Sequence, residues 1–378
     1  MYIDLPGAGR LNVASLSVAR FRFCRDQAFA TGGPYTICPR QCATGMKKHN
    51  NIRGLSIVNT LSSSLLALIV SLGVTVSPQV LAQNSSPVVD CDRACLFNMV
   101  DRYMQALEQH QPLSLPWADQ VVFSENSVQL KVGDGLWNTY SGRRAYDLKM
   151  ADAEQGQAGW FAVVEEHGVA AILAGRMKVV GGKITEVETV LSRRVDDSPF
   201  PVADNLVTPD PVYSETVPVE DRIPRARLIS ITNGYFDTLQ LNNGTLFTEF
   251  HDDCDRIENG LRTTNTFVPN YPISAMGCAD QFRMGQYIYD DRLRGRRYPL
   301  VDEERGLVLA AGFIDHTGTI VDVTWNDGVT KATSPFFYPH SFVYLELFKV
   351  DHGKIRRVES VFASVPYNMP SPWPEASQ

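Results

Sequence analysis

The chain has 378 residues, 44% of them hydrophobic and 20% charged, with a net charge of −7. That length exceeds one ordinary compact domain and carries enough apolar material for more than one core, so two domains are expected. The acidic balance repels phosphate backbones, which makes nucleic acid an unexpected partner.

In chain order, the first feature is "MKKHNNIRG" at 46–54, a basic stretch, followed by the apolar run "LLALIVSLGVTV" at 65–76 and the small-residue sequence "VLAQ" at 80–83. Together these predict a secretory signal at 46–83, cleaved after Ala82. The apolar run is too short and too poorly flanked for a membrane span, so the mature chain is expected to be secreted or periplasmic, with no membrane contact once the signal is removed. Met46 reads as the true start and residues 1–45 as a gene-model extension. Residues 1–83 carry eight Lys/Arg against two Asp/Glu, so the remainder is more acidic still.

Beyond this segment stand Cys91, Cys95, Cys254 and Cys278. An even number in an exported chain predicts two disulfides, and of the three pairings, Cys91 with Cys95 and Cys254 with Cys278 keep each bridge local. "CDRAC" at 91–95 has no histidine at ligand spacing, so no metal is expected.

The chain then repeats itself. Laying Tyr103 on Tyr235 puts Leu107 on Leu239, and one extra residue brings "EN" at 125–126 onto "EN" at 258–259. "DAEQG" at 152–156 matches "DEERG" at 302–306, and "MKVVGGKITEVETV" at 177–190 matches "FKVDHGKIRRVESV" at 348–361. Four matches in one order indicate an internal duplication, with insertions around 264–277 and 317–337 in the second copy. Each copy opens on an amphipathic helix and ends in alternating strand segments, at 159–166, 169–179 and 183–193, then 307–315, 340–350 and 354–364. The expected architecture is α+β, two tandem domains at 84–195 and 225–378. Each has an N-terminal helix packed in a curved antiparallel sheet. The Pro-rich acidic stretch 196–224 reads as a linker strapped across the surface.

A helix, a strand reading F-x-E-N-x and a sheet ending in G-K-I-x-x-V-E resemble the superfamily of nuclear transport factor 2 and the SnoaL-like polyketide cyclases, over 91–193 and 226–364. "CDRAC", "VDEERG" at 301–306 and "VPYNM" at 365–369 narrow the resemblance to uncharacterised exported proteins with two such domains. The resemblance implies a cone-shaped barrel with a pocket at its open end. The superfamily includes isomerases, dehydratases, cyclases and lyases without cofactors, and also carriers and interaction modules. It also implies pairing of the two sheets within the chain, and leaves a homodimer open.

Comparing the copies selects the site. On the strand face Val169, Ala171, Leu173, Gly175 and Met177, the second copy has His340, Phe342, Tyr344, Glu346 and Phe348. A buried His and Glu cost several kcal/mol unless partners or a task compensate, so the second copy is the expected active one. His340, Tyr344, Glu346 and Tyr235 are the catalytic candidates. His340 takes a proton, oriented by Glu346, and a tyrosine polarises an oxygen. Phe342, Asn259, Arg297 and Asp302 complete the set as substrate contacts. The structural counter-readings are a solvent-exposed His340, a Glu346 paired with an arginine of "RLRGRRY" (292–298), and a salt bridge for Arg297 and Asp302. His316 aligns with His167 as a turn residue. The absence of G-x-S-x-G, Walker, G-x-G-x-x-G and H-E-x-x-H motifs leaves chemistry without a cofactor. The expected function is a lyase or isomerase acting on a small apolar or aromatic molecule. The alternative is a non-catalytic module binding an apolar ligand or a protein partner.

Overall fold

The computed structural model describes residues 91–194 and 201–374. The expected signal at 46–83, the stretch before it and part of the expected linker lie outside the described residues. Helix α1 (Arg93–Glu108) starts where the Asp92 side chain accepts a hydrogen bond from the Cys95 amide at 2.8 Å. The Cys91–Cys95 disulfide closes the same turn. The helix buries Leu96, Met99, Val100, Tyr103 and Leu107, the stripe its apolar spacing predicts. Strands β1 (Trp117–Glu125) and β2 (Val128–Gln129), a short helix α2 (Leu136–Thr139), and strands β3 (Tyr140–Asp152), β4 (Gln157–Glu166), β5 (Val169–Val180) and β6 (Lys183–Arg193) follow.

The C-terminal half runs through α3 (Arg225–Leu241), β7 (Phe250–Glu258), β8 (Leu261–Arg262), α4 (Cys278–Met284), β9 (Arg292–Asp302) and β10 (Leu307–His316). It ends with a small hairpin of β11 (Asp322–Thr324) and β12 (Lys331–Thr333), then β13 (His340–Asp351) and β14 (Lys354–Val365). Its second disulfide joins Cys254 on β7 to Cys278 at the start of α4.

Two six-stranded sheets result, ordered β2-β1-β6-β5-β4-β3 and β8-β7-β14-β13-β10-β9. Both are mixed rather than antiparallel. The first long strand of each half runs parallel to the last, β1 beside β6 and β7 beside β14, because the chain returns through a meander to the strand it started from. The repeated "EN" is a hinge pin in this arrangement. Asn126 (φ 48°) and Asn259 (φ 45°) take the left-handed conformation that asparagine tolerates. The Asn259 amide brackets Phe362, donating to its carbonyl and accepting from its N–H, both at 3.0 Å. Asn126 does the same to Leu191 at 3.1 and 2.8 Å.

One side of each sheet packs on its own helix. The outer sides pack on each other, in a core that includes Phe161, Ile172 and Ala174 of the first sheet and Leu309, Leu345 and Leu347 of the second. Two buried glutamates lie at this junction, and both are answered from across it. Glu188 on β6 receives Arg297 of β9 at 2.7 and 3.1 Å, besides Arg176 of its own sheet at 2.7 Å. Burial would raise its pKa, but the two guanidiniums outweigh burial and hold it below the usual range. Glu359 on β14 receives the Tyr146 hydroxyl of β3 at 2.5 Å, and burial pushes its carboxyl up to about 7.

The first residue of each long helix also reaches across. Arg93 binds Asp302 at 2.5 and 2.8 Å, and Arg225 binds Asp152 twice at 2.7 Å. Terminal segments exchange as well. Val202 donates to the Asn259 carbonyl at 2.9 Å, so close to Gly260 (φ +80°) that a Cβ there would lie 2.4 Å from the Val202 oxygen. Trp373 donates to Ser124 at 3.1 Å, and Arg176 lies 4.2 Å over its ring. The connecting segment is not confined to the surface, since Tyr213 is buried between the sheets. Among the described residues no helix is long and apolar enough to cross a membrane.

Replacing Arg297 by Met leaves Glu188 with one of its two cationic partners and is expected to cost about 3 kcal/mol. Urea unfolding checks this, and a change within about 0.5 kcal/mol contradicts the cross-sheet role.

Candidate functional site

The helix-facing side of β13 carries His340, Phe342, Tyr344, Glu346 and Phe348 in alternation, and α3 packs on it through Tyr235 and Phe236. Opposite on β10 stand His316, Ile314, Gly312, Ala310 and Val308. The corresponding pairs of the N-terminal half show what has changed. There Gly175 faces Trp160, whose indole would lie 2.3 Å from a Cβ at that glycine, and the ring fills the interior beneath α1. In the C-terminal half the pair is Glu346 with Ala310. A methyl stands where the N-terminal half has the indole, and a carboxyl where it has the bare glycine.

Glu346 is 5% exposed and lies beside the Tyr235 hydroxyl. Burial pushes its carboxyl up to about 8, only partly offset by the Arg256 guanidinium and reinforced by Glu258. It is therefore a neutral acid at pH 7. Tyr344, two residues earlier on the same face, is buried over Gly312, and its hydroxyl has no hydrogen-bond partner among the described residues. Burial holds both phenols protonated well beyond the usual range.

Behind this pair lies a polar network that the sequence reading missed. Arg256 of β7 is fully enclosed. It donates to Gln281 at 3.0 Å and to the Tyr287 hydroxyl at 3.2 Å, and pairs with Glu258. Tyr287 in turn donates to Gln281 at 2.6 Å and accepts from Tyr271 at 2.9 Å. The charged sequence "HDDCDR" (251–256) is part of β7. Cys254 and Arg256 are two residues apart and share the inward face, so strand alternation from the buried cysteine was the available signal.

Of the remaining candidates, His340 stands at the far end of β13, six residues from Glu346 along one strand, or roughly 20 Å. Glu346 therefore does not orient its imidazole, and the expectation of a single constellation is corrected to two separate groups. His340 is 4% exposed, not open to solvent, and its Nδ1–H donates to the Tyr338 carbonyl at 3.0 Å. Phe342 borders this histidine, with ring centroids 4.9 Å apart. Glu346 has no partner in "RLRGRRY". Arg292 and Arg294 bind Asp315 at 2.6 and 2.8 Å, Arg296 binds Asp237 at 2.5 Å, and Arg297 binds Glu188. Arg297 and Asp302 are engaged across the two halves, and both ends of the Asn259 amide are taken by backbone. These three are not brought to Tyr235 and Glu346. His316 is not the counterpart of His167. The last pairs of the hairpins are Glu166 with Val169 and His316 with His340, so the His167–Gly168 turn is replaced by residues 317–339.

A family model described as a domain of unknown function (DUF8021) matches residues 221–362. No curated protein matches the chain. Among solved structures, an NTF2-like protein of unknown function from Cytophaga hutchinsonii ATCC 33406 is similar at 9% identity with a TM-score of 0.21, covering 25% of this chain and 88% of that one.

Because the Glu346 carboxyl has an ordinary value of 4.5 unfolded and about 8 folded, its protonated form favours the native state. That contribution is complete below pH 4.5 and is lost as pH rises toward 8. Stability is expected to fall over this window by about 1.4 kcal/mol per pH unit from this group. The difference between wild type and Glu346→Gln in urea unfolding at pH 5, 6.5 and 8 isolates that slope. Parallel pH profiles would contradict the buried neutral acid.

Proposed function

We propose that the C-terminal half is a cone-like acid–base site acting, without a cofactor, as a lyase or isomerase on a small apolar or aromatic molecule bearing a carbonyl or hydroxyl oxygen. One observation carries the reading. A neutral Glu346 beside Tyr235 stands next to the Tyr344 hydroxyl, which has no partner among the described residues, where the N-terminal half has Gly175 and Leu173. Two protonated donors on one apolar wall suit stabilisation of negative charge developing on a substrate oxygen, and a carboxyl kept neutral at pH 7 is a recognised way to supply one. Tyr344 and Glu346 are the groups that would touch substrate, Tyr235 orients Glu346, and Arg256 with Glu258 positions the wall behind them. His340 has no place at this centre.

The reading includes the origin of the two halves. Matching strand order, matching asparagine pins and reciprocal contacts support duplication of one ancestral domain, with 91–194 as the scaffold copy and 225–365 as the working copy. Two disulfides fit folding in an oxidising compartment, in line with an exported protein.

The second reading, a binding module, is favoured by the aromatic filling of the same interior. Tyr235 has four ring neighbours, Phe236, Phe250, Phe282 and Phe348, at 4.9 to 6.3 Å. In either reading the ligand displaces rings.

Turnover of diaryl and polyketide-like carbonyl compounds separates the two. Catalysis predicts that Glu346→Gln and Tyr344→Phe each lower kcat/KM by about 10²-fold or more. The rate should also fall as pH rises through about 8, as Glu346 ionises. Saturable binding without turnover, unaltered in Glu346→Gln, selects the binding module.

A further inference from the structure

The N-terminal half closes its β4–β5 hairpin with the two-residue turn His167–Gly168, whereas the C-terminal half inserts residues 317–339 between the equivalent strands. The two residues at the base of this insertion are both histidines. His316 and His340 are paired across β10 and β13, and their rings stack 4.7 Å apart at 12°. Both face the helix side of the sheet, and both are almost fully buried, at 1% and 4% exposed. They are covered by the insertion itself. Phe336 lies 4.2 Å from the His316 ring and 5.2 Å from that of His340, and Tyr338 lies 5.0 Å from His340.

The rest of the insertion rests on the same half of the molecule by few polar contacts. Asn326 donates through its backbone to Met284 at 2.8 Å and through its side chain to Arg283 at 2.7 Å, and Trp325 and Val323 are buried beneath the hairpin. Its outer surface mixes polar residues, among them Asp322, Asn326, Asp327 and Lys331, with exposed Val329, Phe337 and Tyr338.

We infer that residues 317–339 are a flap over the far end of the C-terminal half's helix-facing side, held shut by the His316–His340 ring stack while His340 is uncharged and released when His340 takes up a proton. The titratable groups that face His340 are His316 on β10, Asp290 behind His316, and Tyr338 of the insertion. Asp290 accepts from His316 Nε2 at 2.8 Å, and Tyr289, its chain neighbour, packs on Phe336 at 5.5 Å. The one carboxylate in this group is thus committed to His316, whose other nitrogen, Nδ1, has no partner among the described residues. A proton on His340 would place a cation against a second imidazole and two phenyl rings with no carboxylate of its own.

Burial, together with His316, already holds the His340 imidazole below its ordinary value of 6.5. The sign follows: with the folded value depressed, the closed form is fully favoured above pH 6.5, and loses ground as pH falls from there through the folded value. The flap deepens the Tyr235–Glu346 reading only in offering a route for ligand to the interior. Its own test does not depend on turnover.

Hydrogen exchange read by mass spectrometry on the disulfide-bonded mature chain, at pH 7.5 and pH 5 and corrected for intrinsic rates, tests the inference. Peptides from 317–339 are expected to lose about tenfold in protection at pH 5 for each pH unit of depression, while peptides from the middle of β13 do not change. His340→Phe, which keeps the ring stack without a titrating group, should hold the flap protected at both pH values, and His340→Gln should remove the pH response even if it loosens the flap overall. Equal protection of wild type at both pH values would overturn the inference, and so would a pH response that persists in both variants.

Discussion

Everything in this molecule depends on the burial of both sides of both sheets. Each sheet covers its inner side with its own helix, and has no second helix for the other side. The outer sides therefore cover each other, and side chains that would be solvated in a lone sheet become interior. Glu188 and Glu359 are the clearest consequence, since each receives a hydrogen bond from a residue of the opposite half, Arg297 for one and Tyr146 for the other. A carboxylate in such a place is costly unless it is both paired and hydrogen-bonded. The reciprocal reach of Arg93 and Arg225, and of the segments at Val202 and Trp373, makes the two halves one cooperative unit.

That constraint limits where specialisation can occur. The outer sides and the crossing arginines are occupied by holding the halves together, which leaves the helix-facing sides. In the N-terminal half that side is closed by Trp160 lying over Gly175. In the C-terminal half the exchange to Ala310 and Glu346 introduces a neutral acid, with Arg256, Glu258 and Tyr287 built in behind it. The added segments all belong to this half: α4, the turn carrying Tyr287, and residues 317–339.

The sequence revealed the elements with the strongest periodicity. The three final strands of each half fall within about two residues of their expected limits, because both of their faces are apolar or alternate cleanly. The stripe on α1 and both disulfide pairings were also legible. β3 and β9 were not, since "YSGRRAYDLKMAD" and "RLRGRRYPLVD" are rich in arginine and interrupted by Gly or Pro. Their charges are explained only by partners far away in sequence. For the candidate site, comparing copies singles out Glu346 and Tyr344, because a carboxyl in place of glycine on an apolar face is visible in one dimension. Tyr235 comes instead from the inward face of its helix, its counterpart Tyr103 being the same residue. The separation of His340 from Glu346 was not drawn from the same alternation, although six residues on one strand already fix it. The Arg256 network stayed hidden because its members come from β7, α4 and two loops, and no spacing rule links them.

The proposed chemistry rests on Glu346 being a neutral acid inside the C-terminal half. The infrared difference spectrum between wild type and Glu346→Gln measures this directly, since a protonated carboxyl has its own C=O stretch. The account predicts one such band at pH 6.5, lost as pH rises through about 8. No carboxylic acid band in that difference at pH 6.5 would contradict it.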